Sequence, residues 1–266
     1  MYLSNKISNK LRQHIDVTSA LIYKELSTRL GTSNIVYGVF GIFVEPLGII
    51  VILLLIRVVL RDRTYSDINL VFFVIAGVIP FYAFKDIAVR SLKSMKQNEP
   101  ILIYKPVQPA GIVVARSTVE LGIYSILYAI ISFGVMAWSE KWLIHDFPLL
   151  LFAYFLLFLF SLGVGLIAIV VGHLYPLVNK IVPFLMRPLL FVSGIFIPLS
   201  AIPQNLRPAL AFNPILQSIE ISRHAISEAY MLDDLISLNY LISVSFMVFS
   251  FGIMVSILTK KRLMKQ

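Results

Sequence analysis

The chain has 266 residues, of which 58% are hydrophobic and 14% are charged, and its mean hydropathy is +0.86. A chain this apolar cannot keep the surface of a soluble globule hydrated, so the composition excludes an ordinary soluble enzyme and indicates a polytopic membrane protein. The absence of cysteine excludes disulfides, thiolate metal sites and cysteine nucleophiles. The meaning of the net charge of +9 depends on where the basic residues fall relative to the membrane.

A polar segment precedes the first apolar run, and its pattern predicts a helix over 16–30 that lies in the inner membrane interface. Asp16 is a candidate N-cap and Gly31 a candidate stop signal. Apolar and small side chains recur on one face at helical spacing, namely Ser19, Ile22, Tyr23, Leu26 and Leu30. The alternative is a solvated helix that packs on another subunit.

Six apolar runs are long enough to cross a bilayer. They cover 35–60, 68–84, 110–138, 147–174, 181–199 and 235–258. This divides the chain into a cytoplasmic segment 1–34, a transmembrane domain 35–259 and a basic tail 260–266. Most of the 23 basic residues then fall at the cytoplasmic face if the N-terminus is inside, so the positive-inside rule predicts that both termini are cytoplasmic. Orientation accounts for the positive charge, so we expect no nucleic-acid partner.

The first apolar run carries a carboxylate beside a proline, at Glu45 and Pro46. Proline has no backbone donor and crowds the carbonyl four residues earlier, so we expect the span to bend or break here, with Glu45 biased away from helical backbone. Glu45 lies in the inner half of the span, where a carboxylate must be protonated, paired with a cation or directed at a hydrated cavity. The pair is either a substrate site or a hinge.

The residue pattern of the inner loop 85–109 predicts a short amphipathic helix. Ala88, Val89, Leu92 and Met95 form one apolar stripe, and Pro100 ends the helix. Such a stripe must be covered, and either the membrane surface or another protein could cover it.

The outer region 198–234 is apolar but broken by prolines, which predicts a re-entrant or gate-like element. Asn213 as N-cap and Pro214 at the first helical position predict a helix that continues to about Tyr230. Arg223 projects from the apolar face of this helix, where it either snorkels to an interface or lines a polar path.

The chain contains none of the common catalytic motifs: no phosphate-binding loop, no HExxH and no GxSxG. His224 and Glu228, with Asp233 and Asp234 beyond, could form a metal site, but a solvated helix end is the commoner outcome, so no metal is predicted. Arg116 and Glu120 stand four residues apart in the third span and can pair.

Five blocks resemble the membrane-spanning subunit of bacterial ATP-binding-cassette exporters for capsular polysaccharide. They are STRLGTSNIVYGVFGIFVEP (27–46), IAGVIPFYAFKDIAVRS (75–91), YKPVQPAGIVVARSTVE (104–120), GVGLIAIVVG (163–172) and FNPILQSIEISRHAI (212–226). They extend over nearly the whole chain in order. The resemblance implies an all-α integral membrane protein with six transmembrane helices, an N-terminal interfacial helix, a cytoplasmic coupling helix and short periplasmic gate helices.

The resemblance also implies partners and a cargo. It implies a homodimeric permease in the inner membrane of a Gram-negative cell, docked on two copies of a separate ATPase. ATP and Mg²⁺ would bind that ATPase, so no cofactor is expected on this chain and the chain itself is not an enzyme. A periplasmic adaptor and an outer-membrane exporter would complete the path of an acidic, lipid-linked capsule polymer.

Candidate roles follow from the resemblance. The segment with Ala88, Val89, Leu92, Met95 and Lys96 is similar to the family's coupling helix, with 173–180 as a second contact to the ATPase. Spaced cations suit a conduit for a polyanion, because they attract the polymer without holding it.

The candidate path residues are Arg116, Arg187, Arg223 and Glu45, and Pro46 is the candidate hinge. Rival interpretations are export of another lipid-linked glycan, such as O-antigen or teichoic acid, export of a small drug, and a membrane-embedded transferase that uses Glu45, Arg116 and Glu120.

Overall fold

The computed structural model describes residues 2–31, 35–59, 68–102, 107–140 and 142–263, and within these ranges it contains helices and connecting segments but no strand. The helices are α1 (Tyr2–Leu30), α2 (Ile35–Val59), α3 (Leu70–Leu92), α4 (Ser94–Gln97), α5 (Glu99–Leu102), α6 (Pro109–Ser139), α7 (Phe147–Leu174), α8 (Val178–Val192), α9 (Arg207–Ala211), α10 (Pro214–Ile226) and α11 (Leu238–Leu263). The all-α class predicted from the sequence is confirmed.

Four helices in the described part are long and apolar enough to cross a membrane, namely Leu70–Leu92, Pro109–Ser139, Phe147–Leu174 and Leu238–Thr259. Helix α2 contributes a shorter apolar stretch, Phe40–Ile56. Helix α8 has 15 residues and ends well before the predicted limit of 199. Its end is followed by Gly194, whose φ of 71° lies in the left-handed region that favours glycine and ends a helix.

Local capping signals account for several helix starts. The side chains of Asn69, Asp146 and Asn213 each accept a hydrogen bond from a backbone N–H in the first turn of α3, α7 and α10. The α10 helix starts at Pro214, as predicted, because its first position needs no donor. It ends at Ile226 rather than near Tyr230, because the backbone becomes extended at Ser227.

Helices α3 and α10 form the centre of the molecule. Residues 72–84 of α3 and 215–223 of α10 are buried all round. Helix α10 packs against α3, α7 and α11, so this short helix is enclosed by helices long enough to span a membrane. This is the arrangement expected of a re-entrant element, whose backbone is tolerated at membrane depth only when protein covers it.

A glycine contact holds α7 against α11. A Cβ added at Gly163 would approach the backbone of Phe249 to 2.7 Å, and one added at Gly252 would approach the Gly163 carbonyl oxygen to 2.6 Å. Inside a membrane the hydrophobic effect does not drive helices together, so they associate through van der Waals packing. Small residues permit this packing because they let the two backbones approach closely. Gly163 is therefore a packing position rather than a ligand contact.

Two local predictions are wrong, namely an N-cap at Asp16 and a break of the first span at Pro46. Helix α1 begins at Tyr2, so Asp16 lies inside it and is no N-cap, although Gly31 closes it with a φ of 84°. Helix α2 runs unbroken through Pro46, with Glu45 in helical conformation. One interior proline removes a single hydrogen-bond donor, and the flanking apolar turns retain their own bonds.

Candidate functional site

A network of six charged side chains joins α1, α3 and α6 at one end of the bundle, which we call the charge network. Its members are Glu25, Arg29, Asp86, Arg90, Arg116 and Glu120. Three are cations and three are anions, so their charges balance. Arg116, Glu25 and Glu120 are at most 4% exposed. Buried charges of this kind require paired, hydrogen-bonded partners.

Arg116 is the member with the most partners. Its guanidinium donates to both carboxylate oxygens of Glu25, at 2.7 and 3.1 Å. It also donates to the backbone carbonyl of Arg90, to Ser94 Oγ at 2.5 Å and to Gln97 Oε1 at 3.2 Å. The planar fork of arginine permits these simultaneous contacts. Arg116 therefore ties the end of α3 and the whole of α4 to α1.

The second half of the network centres on Glu120. Arg29 donates to Glu120 Oε2 at 3.2 Å, and Arg90 donates to Oε1 of the same carboxylate. Arg29 also pairs with Asp86, which accepts a hydrogen bond from the Tyr124 hydroxyl at 2.8 Å. The predicted pair between Arg116 and Glu120 is wrong, because each finds a better-placed partner on another helix.

A polar contact from α1 reaches the segment that follows α4. Lys24 Nζ donates to Asn98 Oδ1, whose own amide donates to the Ser94 carbonyl at 2.9 Å. Burial lowers the pKa of the Lys24 ammonium from its ordinary value, while Glu25 opposes that change and Arg116 adds to it. Helix α1 is thus held to α4 through Arg116 and to the segment after α4 through Lys24.

The apolar stripe of the predicted coupling helix is covered by the chain itself. Ala88 and Leu92 belong to the end of α3 and are at most 3% exposed, and Met95 is 6% exposed, while Val89 is half-buried. Met95 packs with Val113 and Ile169, and the Leu92 carbonyl lies against Gly172. The prediction that the membrane surface or another protein must cover this stripe is therefore wrong. The exposed side chains here are polar, including Lys93, Lys96 and Gln97.

Those polar residues form one wall of an open cleft of about 430 Å³, which we call the α4 cleft. The opposite wall comes from the connection between α7 and α8, with Gly172, His173, Pro176 and Asn179. Asn179 fastens this wall by donating to the Gly172 carbonyl at 2.9 Å. The structure thus brings together the two segments, around Lys96 and within 173–180, that the sequence predicted as ATPase contacts.

The three candidate path arginines lie in different environments. Arg116 is neutralised within the charge network and Arg223 is fully buried. Arg187 is exposed on α8 and, among the described residues, has no ion pair or hydrogen bond. The structure therefore does not assemble them into one cationic path.

Arg223 neither snorkels nor lines an accessible path. It donates to the Gly194 carbonyl at 2.7 Å and to the Ile195 carbonyl at 3.1 Å, pairs with Glu220 at 3.2 Å, and stacks 3.6 Å from the centre of the Phe73 ring. Its apolar helix face points into the protein, so the guanidinium holds α10 to α3 and to the segment after α8.

Glu45 has the cation that its position requires. Its carboxylate pairs with Lys85 at 2.5 Å and accepts from the Tyr82 hydroxyl at 3.2 Å, although the side chain is 62% exposed. This pair links α2 to α3 next to the buried Pro46. None of the described contacts connects Glu45 to Arg116 or Glu120, so the structure does not assemble the three groups of the transferase interpretation.

The possible metal ligands near the end of α10 are engaged elsewhere. His224 Nδ1 lies 2.8 Å from the Tyr230 carbonyl oxygen, Glu228 lies 3.2 Å from His145, and Asp233 pairs with Arg207 at 2.9 Å. Across the described residues no three histidine or carboxylate side chains converge on one point.

Comparison with known proteins identifies the family to which the chain belongs. The model of the ABC-2 type transporter family matches residues 16–226. The chain belongs to the ABC-2 type transporter family. The matched part of this ABC-2 protein includes the whole charge network, both walls of the α4 cleft and helix α10.

Individual relatives are described as polysialic acid transport or capsule polysaccharide export proteins. This ABC-2 chain is 36% identical to the polysialic acid transport protein KpsM of Escherichia coli, over 84% of this chain and 85% of the relative. It is 28% identical to the capsule polysaccharide export inner-membrane protein BexB of Haemophilus influenzae, over 78% of each chain. It is also 28% identical to CtrC of Neisseria meningitidis serogroup B, which carries the same description, over 78% and 77%.

Sequence reasoning missed the charge network of this ABC-2 protein. Each member was visible as an isolated charge, but Glu25 and Arg116 stand 91 residues apart. The available signal was charge balance: three acids and three arginines lie in or beside apolar segments near one face, where each needs a partner.

Proposed function

We propose that this chain is the membrane permease of an exporter that moves a capsular polysaccharide across the bacterial inner membrane. The observation that carries the proposal is the similarity to the polysialic acid transport protein KpsM over 84% of this chain. The capsule export proteins BexB and CtrC match in the same way. An acidic, lipid-linked polymer is the cargo class that this similarity favours over O-antigen, teichoic acid or a small drug.

The proposed assembly is a homodimer with six spans in each protomer. Helices α2 and α8 supply the two spans beyond the four of full spanning length, and both termini face the cytoplasm. Two copies of a separate ATPase dock below, carrying the ATP and Mg²⁺ that this chain does not bind. A periplasmic adaptor and an outer-membrane exporter receive the polymer.

The α4 cleft is the proposed docking site for the ATPase. It is open, it lies beside Lys93 and Lys96, and its two walls come from separate connections at one end of the bundle. Closure of the ATPase would press on α4, which Arg116 holds to α1 and α3 through short hydrogen bonds. The charge network then transmits the movement to the spanning helices.

Arg187 is the proposed polymer contact among the four candidates. It is exposed on α8, and no other described group forms an ion pair or hydrogen bond with its guanidinium. Glu45 and Pro46 act as a hinge between α2 and α3 rather than as a polymer site. Arg116 and Arg223 keep structural roles, because a polymer cannot reach a guanidinium that is at most 2% exposed.

The test is whether this chain can replace the Escherichia coli relative in cells. The chain and the ATPase that copurifies with it from native membranes are expressed in an Escherichia coli strain without its polysialic acid transport protein. We expect polysialic acid at the cell surface. Polymer retained in the cytoplasm, while both proteins are present and hydrolyse ATP, would contradict the proposed cargo.

A further inference from the structure

An apolar cavity in the opposite half of the bundle from the α4 cleft has no role in the proposed export function. Its volume is about 210 Å³, and α6 and α7 form most of its wall. Phe133, Phe147 and Leu151 line it and are 63%, 45% and 52% exposed, so the cavity opens sideways. Because α6 and α7 span the membrane, the mouth faces lipid rather than water.

Three hydroxyl groups in the wall lack hydrogen-bond partners in the described part of the protein, namely those of Tyr128, Ser132 and Tyr154. Ser132 is 4% exposed. A helical serine normally satisfies its hydroxyl on the carbonyl four residues earlier, as Ser139 does at 2.9 Å and Ser161 at 2.6 Å. Ser132 does not do so, although it lies in the same helix as Ser139.

These features define the chemistry of the occupant. An apolar cavity of this size stays dry, and an empty one loses dispersion contacts along its whole wall. These hydroxyls can donate, so the occupant must carry an acceptor on an otherwise apolar body. A sugar does not fit, because its many hydroxyls would remain unpaired against this wall.

We propose that this cavity binds one acyl chain of a bilayer glycerophospholipid, with the ester carbonyl accepting a hydrogen bond from Ser132. The position of Trp142 supports this occupant. Trp142 lines the cavity and is 66% exposed, and tryptophan prefers the headgroup level of a membrane. The cavity thus lies next to the depth at which a phospholipid carries its ester groups.

The chain offers a direct optical test, because Trp138 and Trp142 are its two tryptophans. Trp138→Phe leaves Trp142 as the sole emitter at the cavity. This full-length parent is reconstituted in phosphatidylcholine vesicles that contain a rising fraction of phosphatidylcholine brominated on one acyl chain. Because Trp142 is 66% exposed and also meets bulk lipid, the part of its quenching that a cavity-filling variant removes reports the brominated chain in the cavity.

Filling the cavity should remove the site. We expect Ala129→Phe, which adds a ring at a lining position, to raise the brominated fraction needed for half-maximal quenching at least about fivefold, the change expected from about 1 kcal/mol of lost binding. Ile130→Phe is the matched control, because Ile130 is the next residue, is 64% exposed and lies outside the cavity wall. It should quench like the parent. Ser132→Leu serves as the filling variant if Ala129→Phe does not fold.

The hydrogen bond is tested separately with ester-linked and ether-linked brominated lipids. The parent should bind the ester lipid about fivefold better, as expected for one hydrogen bond, and Ser132→Ala should abolish that preference. Equal quenching in Ala129→Phe and the parent would overturn the proposal. So would a parent that is not quenched even in fully brominated vesicles, the result expected if a second copy of the chain covers the mouth. The quenching measurement does not depend on transport. Its outcome therefore tests the lipid site separately from the proposed export function.

Discussion

The carboxylate of Glu25 in α1 lies 2.7 Å from the guanidinium of Arg116 in α6. The same guanidinium reaches Ser94 Oγ and Gln97 in α4, which forms one wall of the α4 cleft. A displacement of α4 must therefore either carry Arg116 and α1 with it or break several charge-assisted hydrogen bonds. This relationship gives the cleft a mechanical connection to the spanning helices.

Removing one partner of the Glu25–Arg116 pair should be strongly destabilising. We expect Arg116→Met to lower the free energy of unfolding by about 3 to 5 kcal/mol, because it leaves Glu25 buried without its main partner. The measurement is the midpoint of thermal aggregation of the purified, detergent-solubilised chain, followed by size-exclusion chromatography.

The double variant Glu25→Leu with Arg116→Met is the control. It removes both charges of the pair, so it should recover part of the loss, since no isolated carboxylate remains there. If the double variant were less stable than Arg116→Met alone, the pair would not be the source of the effect.

Reversing charge at the α4 cleft should separate the permease from its ATPase. Lys93 and Lys96 are exposed, so Lys93→Glu with Lys96→Glu should leave the fold intact and weaken the complex at least about tenfold, or 1.4 kcal/mol. Copurification of the ATPase and its binding constant measure this. Lys93→Arg with Lys96→Arg keeps the charge and should bind normally.

A second double variant tests the burial of the apolar stripe that contains Leu92 and Met95. Leu92→Asp with Met95→Asp places two carboxylates at positions that are 3% and 6% exposed. We expect loss of folded protein rather than a folded permease without ATPase. A stable, monodisperse double variant would contradict the burial of this stripe.

Arg187 and Arg223 should respond in opposite ways. Arg187→Ala changes an exposed side chain, so stability should stay within about 0.5 kcal/mol while polymer export per inserted permease falls. Arg223→Met should instead lower the amount of folded permease, because Glu220 and the carbonyls of Gly194 and Ile195 lose their donor. Normal export in Arg187→Ala would exclude Arg187 from the polymer path.

The pair at Glu45 and Pro46 separates charge from backbone. Glu45→Gln retains a hydrogen bond to Tyr82, and its carboxylate is 62% exposed, so we expect a change of at most about 1 kcal/mol and near-normal export. Surface polymer and thermal midpoint are measured together. Strongly reduced export with an unchanged midpoint would mean that the negative charge itself is needed.

Pro46→Ala restores a backbone donor for the Ile42 carbonyl. Because an interior proline costs a helix about 3 kcal/mol, the variant should be at least as stable as the parent. Export should nevertheless fall if α2 must flex at this point. A more stable variant with full export would remove the hinge role.

The parts of the fold that depend on local signals could be predicted from the sequence. The fourth apolar run has the bounds of α7, and Asn213 with Pro214 marks the start of α10. Both rest on capping chemistry and hydrophobic length, which act within a few residues. The two ATPase-contact segments could be named separately for the same reason, although no local signal says that they meet in one cleft.

The environments of single charged residues could not be predicted. On a helix buried all round, periodicity does not distinguish a face toward a conduit from a face toward protein, so the surroundings predicted for Arg223 are wrong. The exposure predicted for the stripe with Leu92 is wrong because α3 continues past the predicted span end at 84 and carries the stripe into the core. In both cases the deciding contacts come from residues far away in sequence.

The long separation within the charge network has a consequence for biogenesis. Glu25 leaves the ribosome 91 residues before Arg116, an interval of roughly 5 to 20 s at ordinary translation rates. During that time Glu25 lacks Arg116, although Asp86 and Arg90 of α3 are made earlier. The complete set of contacts forms only when α3 and α6 are both in place, so full attachment of α1 is a late step of membrane assembly.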